Sequence, residues 1–209
     1  MGDHYYTKSP AVAHDEQTIE AKLRGRTLSF VTDAGVFSKE GVDFGSRLLI
    51  ETMQLTADSE VLDVGCGYGP IGLSAALLAN EGHVVMVDIN ERAIALSKRN
   101  AERNGIRNVT VLQSDLLEEV KERRFDVVLT NPPIRAGKET VHRIFADSYE
   151  VLKPGGSLWV VIQKKQGAPS AFSKLESIFG EVQEVDRDKG YKIFRAIRQE
   201  VDSEGKSLT

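Results

Sequence analysis

The sequence predicts an α/β fold, a doubly wound and mostly parallel sheet that ends in an antiparallel hairpin and carries a small β-hairpin extension at its N-terminus. Three observations predict it. From residue 60 onward, short β-branched runs alternate with helical periods, the pattern of a parallel sheet covered by helices on both faces. Three glycines follow the first of these runs at once, where a strand turns sharply into a helix. Near the C-terminus the alternation stops, and two strand-like runs joined by a short polar turn give an antiparallel pair.

Taken in order, residues 17–32 alternate in polarity around Arg24-Gly25-Arg26, with Ile19, Ala21 and Leu23 before the turn and Leu28 and Phe30 after it, which reads as a hairpin. Residues 33–38 read as a loop, and Asp43-Phe44-Gly45-Ser46 leads into a helical run with Leu48, Leu49 and Met53. Residues 1–45 thus form an extension. The first strand of the main sheet is Val61-Leu62-Asp63-Val64, followed by a helix over residues 71–79. Residues 84–87 are the second strand, and a helix with Ala93, Leu96 and Ala101 runs from it to the cap-like Asn104-Gly105. Residues 109–112 and 125–129 are the third and fourth. After a helix containing Ile144, Phe145 and Val151, Pro154-Gly155-Gly156 turns the chain into a fifth strand, 158–162, whose apolar composition places it inside the sheet. The closing hairpin pairs residues 182–185 with 191–197 across a turn at 186–190, and a polar tail follows.

Composition narrows the classes. At 209 residues the chain fits one domain with a modest extension. Hydrophobic residues make up 41% and charged residues 28%, and no apolar run approaches the ~20 residues of a spanning helix, so no membrane is expected. The N-terminus lacks the charged and apolar regions of a secretion signal, and the lone Cys66 excludes an intrachain disulfide, so a cytoplasmic location is expected. A net charge of -4 argues against coating nucleic acid with the whole surface but leaves room for a local basic patch. His4, His14, His83 and His142 lack ligand spacing, so no metal is expected.

Gly65, Gly67 and Gly69 follow the first strand as G-x-G-x-G. The dinucleotide fingerprint needs its third glycine at position 70, which is Pro70, so hydride transfer loses its main support. A sulfonium cofactor carries no pyrophosphate, and the tighter spacing suits its amino-acid tail, with Asp63 facing the ammonium group. Asp88 ends the second strand, where a carboxylate accepts from both ribose hydroxyls. Asp115 follows the third, placed to accept from an adenine amine while Leu116 offers its backbone N–H. Cys66 and Ile89 belong to the same cofactor-binding stretches, and Cys66 reads as a small filler rather than a nucleophile. Each aspartate alone also reads as a turn or cap. Three at consecutive strand ends point to a ligand, because open parallel sheets bind ligands beyond the carboxyl ends of their strands.

Asn131-Pro132-Pro133-Ile134 follows the fourth strand. Two successive prolines donate no N–H and force an extended exit from the sheet, which leaves carbonyls free. An aryl or amide nitrogen is a poor nucleophile because its lone pair is delocalised. A site that accepts both of its N–H bonds draws that pair out of plane, and the Asn131 side-chain oxygen with the Pro132 carbonyl can do this. Beyond the motif, Arg135, Lys138, His142, Arg143 and Lys164-Lys165 suit phosphate contacts, or equally a solvated charged face, as do Lys22, Arg24 and Arg26. Gly137-Lys138 is no phosphate loop, since Pro132 stands where that motif needs glycine and Glu139 where it needs a hydroxyl.

The run from Val61 to Gly69, with Asp88, Asp115 and Asn131-Pro132-Pro133, resembles the class I S-adenosylmethionine-dependent methyltransferases, whose seven-stranded Rossmann-like sheet ends in such a hairpin. Residues 35–38 and 43–46 look like the methyltransferase small domain family, typified by bacterial 16S ribosomal RNA guanine-N2 methyltransferases. The resemblance runs from about residue 4 to residue 198. It implies S-adenosylmethionine as cofactor, a catalytic domain over 46–200, a polar tail over 201–209, and a loop in the extension that covers the cofactor through Phe37, Ser38 and Gly45. It further implies transfer to a guanine N2, with Asn131, Pro132 and Pro133 catalytic, Asn131 at the cofactor as well, and ribosomal RNA or the 30S subunit as partner; with it, Ile134, Arg135, Lys138 and Lys164 are expected at the substrate. Two departures stand out. Ribosomal enzymes of this kind carry a duplicated N-terminal domain that assists RNA binding, and Ile134 replaces the aromatic residue that many relatives place after the second proline. Other readings are a glutamine-N5 methyltransferase of a translation protein and a cofactor-binding module without catalysis. The oligomeric state stays open.

Overall fold

The computed structural model describes residues 6–200, so His4, the start of the extension and the tail over 201–209 lie outside the described residues. A two-stranded sheet comes first, β1 (Gln17–Leu23) paired antiparallel with β2 (Arg26–Thr32). Its two-residue turn, Arg24-Gly25, has φ of 47° and 77°, the mirror-image turn that matches strand twist. Then α1 (Phe44–Thr52) starts at Asp43, whose side chain accepts from the Ser46 N–H and so satisfies one of the helix's orphan donors.

The main sheet holds β3 (Glu60–Val64), β4 (His83–Asp88), β5 (Val109–Gln113), β6 (Phe125–Thr130), β7 (Leu152–Gln163), β8 (Glu181–Asp188) and β9 (Tyr191–Ile197). Their order is β5-β4-β3-β6-β7-β9-β8, parallel up to β7 and antiparallel at β9 and β8. From β3 the chain first winds outward through β4 and β5, then returns to β6 on the other side of β3 and winds the opposite way. The crevice between β3 and β6 is therefore the switch point where an open α/β sheet takes its ligand. The Thr130 hydroxyl donates to the Val64 carbonyl at 3.0 Å and ties the two strands together there.

Each face of the sheet has its own core. One joins α1, α2 (Pro70–Leu78) and α3 (Glu91–Arg103) to the hairpin, whose Ala21, Leu23, Leu28, Phe30 and Val31 are buried with Leu49, Ile50 and Met53. The other joins α4 (Lys138–Val151) and α5 (Ala168–Phe179), with Phe145, Leu175 and Phe194 at its centre. Among the described residues no helix is long and apolar enough to cross a membrane.

The predicted fold class holds, and the differences are local. The helix α5 was not expected, because Ala168, Ala171, Leu175 and Phe179 form only a narrow buried stripe in a Ser-rich segment. Pro154-Gly155-Gly156 lies within the extended run of β7 rather than in a turn before it. At the closing hairpin, β8 runs on through Asp188 and the turn shrinks to Lys189-Gly190, with φ of 46° and 82°. The polar residues 186–188 look like a loop in sequence, but they sit on an edge strand where both faces are exposed.

Candidate active site

The carboxyl ends of β3, β4, β5 and β6 open onto one cavity of about 260 Å³. Its floor is the glycine loop. Gly65, Gly67 and Gly69 have φ of 76°, 56° and 109°, values open to glycine and strained for other residues. A Cβ on Gly65 or Gly67 meets no protein atom within 4 Å, so both glycines present bare backbone to the space. Gly69 serves packing instead, since its Cβ would stand 3.1 Å from Leu73 and 3.2 Å from Met86.

The loop is held from β4. The Gly65 and Cys66 N–H groups donate to the Val87 carbonyl at 2.8 and 2.9 Å, and the Gly67 N–H donates to the Asp88 carboxylate at 2.9 Å. Asp88 also accepts from the Asn90 N–H at 2.9 Å. Burial pushes its carboxyl up to about 6 against these N–H donors. Asp63, beneath the loop, is fully buried and neither oxygen has a hydrogen-bond partner. Burial pushes it up to about 8, opposed by the nearby Gly72 N–H and reinforced by the charge of Asp88. The Cys66 thiol is buried, with its pKa pushed well up by that burial and by both aspartates, which removes it as a nucleophile.

A second layer locks the cover. The Asn100 side chain accepts from the Val31 N–H and donates to the Val31 and Tyr68 carbonyls, joining α3 to β2 and the glycine loop. Asn90 and Arg92 donate to the Gly35 and Ala34 carbonyls at 2.8 and 2.6 Å, and the Tyr68 hydroxyl donates to the Ser38 carbonyl. Residues 34–38 are thereby fixed over the cavity, with Phe37 on its lining and 39% exposed.

At the end of β6, the Asn131 amide nitrogen donates to the Ser46 hydroxyl at 3.1 Å and to the Asp43 carboxylate at 3.3 Å. A carboxylate only accepts, so this contact fixes which end of the carboxamide faces it. The Asn131 Oδ1 is turned away and accepts no hydrogen bond among the described residues.

Of the residues singled out in the sequence, Phe37, Ser38, Gly65, Cys66, Gly67, Asp88, Ile89, Asp115, Leu116, Asn131, Pro132 and Pro133 line the cavity. Asp63, Gly45 and Gly69 do not. Gly45 is buried where a Cβ would meet the Tyr191 ring at 2.8 Å. Ile134, Arg135, Lys138 and Lys164 lie outside the lining; Ile134 is half-buried against the α4–α5 core and the three cations are exposed. Sequence reasoning missed Asp43, Ser46, Val36, Tyr68 and Thr140 as lining residues. Asp43 and Ser46 had a signal as part of the 43–46 pattern of the family resemblance, which gave a role to Gly45 alone.

The charges on the lining are one-sided. It carries Asp43, Asp88 and Asp115 and no lysine, arginine or histidine among the described residues. A pyrophosphate finds no cationic side chain there. A cofactor that is cationic at its ammonium and sulfonium, with ribose hydroxyls for Asp88, fits the donor and acceptor set.

Fold and cavity together define a class, the S-adenosylmethionine-dependent methyltransferases of Rossmann-like fold. Within it, the chain belongs to the methyltransferase small domain family, whose profile matches residues 27–195. It is 54% identical over 198 residues to the uncharacterized protein YbxB of Bacillus subtilis, covering 94% of this chain and 98% of that one. It is 31% identical over 182 residues to the ribosomal RNA large subunit methyltransferase G of Streptomyces avermitilis, covering 85% of this chain and 47% of that protein. Among solved structures, the T. thermophilus 16S rRNA N2 G1207 methyltransferase RsmC, in complex with AdoMet and guanosine, superposes with a TM-score of 0.80 at 28% identity, covering 91% of this chain and 52% of that one. The chain thus spans nearly all of YbxB and about half the length of these two methyltransferases.

Proposed function

We propose that the protein methylates the exocyclic N2 of a guanine in ribosomal RNA, in the small-subunit 16S molecule or the 30S particle, within the cytoplasm. The single observation that carries this reading is the placement of Asn131. Its amide nitrogen is anchored on Asp43 and Ser46, so its oxygen and the Pro132 carbonyl are left as acceptors on the cavity that the cofactor-binding loop floors. The likeness to RsmC supports the choice of a guanine amine in 16S RNA, and the likeness to a large-subunit enzyme makes the other ribosomal RNA the natural control.

S-adenosylmethionine supplies an electrophilic methyl group on a sulfonium. The chain's own residues do the rest. Asp63, protonated beneath the loop, ionises as a cationic ligand settles over it, Asp88 receives ribose hydroxyls, and Asp115 with Leu116 meets the adenine. Asn131 Oδ1 and the Pro132 carbonyl accept the two amine hydrogens, which localises the lone pair and points it into the cavity. Pro133 keeps the exit extended. Residues up to 45 act as a cover for a catalytic unit over 46–200. If the guanine is stacked it must be flipped out to reach this site.

Ile134 gives the base an apolar contact. Arg135, Lys138 and Lys164 are exposed cations that pair with no carboxylate among the described residues, unlike Arg143, which is bound to Glu118 at 2.5 Å and Asp147 at 3.4 Å. They are available for phosphates.

The test is transfer of labelled methyl from S-adenosylmethionine to 30S subunits, naked 16S RNA, 23S RNA or release factor, followed by digestion. The reading expects N2-methylguanosine from the 16S molecule. Label only in release factor gives the glutamine reading, and no label in any acceptor gives a binding module.

A further inference from the structure

We propose that Asp43 reads the acceptor base, its carboxylate accepting the N1–H of a guanine whose exocyclic amine is held by Asn131 and Pro132. The inference rests on the guanine-N2 reading above and deepens it, because it names the group that selects guanine.

Each candidate acceptor shows its own group beside the amine. In guanine, the amine lies between N3, an acceptor, and N1–H, a donor, and the N1 side is the one that distinguishes it. In adenine the amine is flanked by N1, in cytosine by N3, and in a glutamine side chain by the carbonyl oxygen, all acceptors. A grip made only of carbonyl oxygens holds any of these amines equally. A second acceptor next to the grip favours guanine and repels the other three, since two lone pairs then face each other in a site with little water.

The structure places such an acceptor there. Asp43 lines the cavity and is half-buried at the N-terminus of α1. One oxygen, Oδ2, accepts from the Ser46 N–H at 3.2 Å and from the Asn131 amide at 3.3 Å. The other, Oδ1, accepts nothing among the described residues. The carboxylate is therefore fixed by one oxygen and open at the other, directly beside the carboxamide whose oxygen faces the amine. Two acceptors side by side match the two donors side by side on guanine. No lysine or arginine among the described residues lines the cavity to claim Oδ1 instead. Asp43 thereby touches substrate, and Ser46, whose hydroxyl accepts from the Asn131 amide, is a positioning residue.

The experiment measures binding of free nucleosides to protein saturated with S-adenosylhomocysteine. 2-Aminopurine riboside keeps the C2 amine but has a bare N1, and its fluorescence reports binding; guanosine is measured by displacing it. Wild-type protein is expected to bind guanosine at least tenfold more tightly, the worth of about one hydrogen bond to a charged acceptor. In Asp43→Asn the amide oxygen stays on the Ser46 and Asn131 donors and the NH2 group faces the base, so the preference is expected to fall to within about threefold or to reverse toward the bare N1. Asparagine still caps a helix and still accepts from Asn131, so the fold is kept; circular dichroism checks it. In Ser46→Ala, which loosens Asn131 alone, both nucleosides should weaken together with their ratio unchanged.

Equal binding of the two nucleosides to wild-type protein, or an unchanged ratio in Asp43→Asn, overturns the role of Asp43 and leaves the guanine pocket standing. A ratio that collapses equally in Ser46→Ala shows that Asp43 only positions Asn131. If neither nucleoside binds at 10-millimolar concentration, the guanine-N2 reading itself fails, and this inference with it.

Discussion

Asp63 is a carboxyl group with no partner inside the core, and its protonation follows from that. Burial holds its folded-state value near 8, whereas an unfolded aspartate titrates near ~3.9. Between those values the unfolded chain releases a proton that the folded chain keeps, so stability falls as pH rises and levels off above about 8. Asp88, pushed to about 6, contributes the same slope only below that value, which leaves pH 6–8 to Asp63. The unliganded protein should lose thermal midpoint from pH 6 to pH 8, and Asp63→Asn should flatten that loss. Parallel melting curves for the two proteins across this window contradict the assignment. A second residue-scale outcome concerns Asn131→Ala, which takes one acceptor away from the amine and leaves the cofactor's partners in place. Transfer should drop by at least a hundredfold, with S-adenosylhomocysteine affinity within a few-fold of wild type. Strand-end residues such as Asp88, Asp115 and Asn131 were legible in the sequence, because local spacing alone puts them on the cavity. Asp43 and Ser46 belonged to a family-like segment, but their place beside Asn131 was not legible, since those contacts span 88 and 85 residues.

At the scale of elements, α3 is the brace of the site. Its buried Asn100 makes three hydrogen bonds that fasten β2 and the glycine loop to the helix, and Asn90 and Arg92 at its N-terminal end hold the covering loop. Asn100→Ala leaves three buried backbone groups unpaired and should cost about 2–4 kcal/mol, read as a lower denaturation midpoint with an unchanged slope. A cost below ~0.5 kcal/mol would mean that water replaces the amide there. Periodicity revealed most of this architecture: β3 to β7 are apolar enough, and α3 amphipathic enough, to be named from sequence. The helix α5 and the outer half of β8 escaped because they sit at the margin of the sheet. Their exposed residues carry no pattern, and only pairing with β9 or packing on Phe194 gives them their shape.

For the whole molecule, the net charge of -4 and an acidic cavity stand against a few exposed cations, Arg135, Lys138 and Lys164, that pair with no carboxylate among the described residues. RNA should therefore be held weakly and through a small number of phosphates. Replacing Arg135 and Lys138 by alanine should weaken RNA binding without regard to sequence, lowering the slope of log K against log salt by about 0.7 for each single-strand phosphate that is no longer neutralised. An unchanged slope places the RNA elsewhere. Cofactor binding reaches the entire fold, because its site is built from both halves of the sheet. S-adenosylhomocysteine at a hundred times its dissociation constant should add about 2.7 kcal/mol, a rise of roughly 5–10 °C in thermal midpoint for a chain of this size. The most direct measurement is calorimetric titration of S-adenosylhomocysteine, and separately of NADH, into the wild-type protein and Asp88→Ala. The acidic, glycine-floored cavity requires one-to-one heat with the first ligand, at least tenfold weaker binding in Asp88→Ala, and none with the second. Heat with NADH and none with S-adenosylhomocysteine would contradict the account at its foundation.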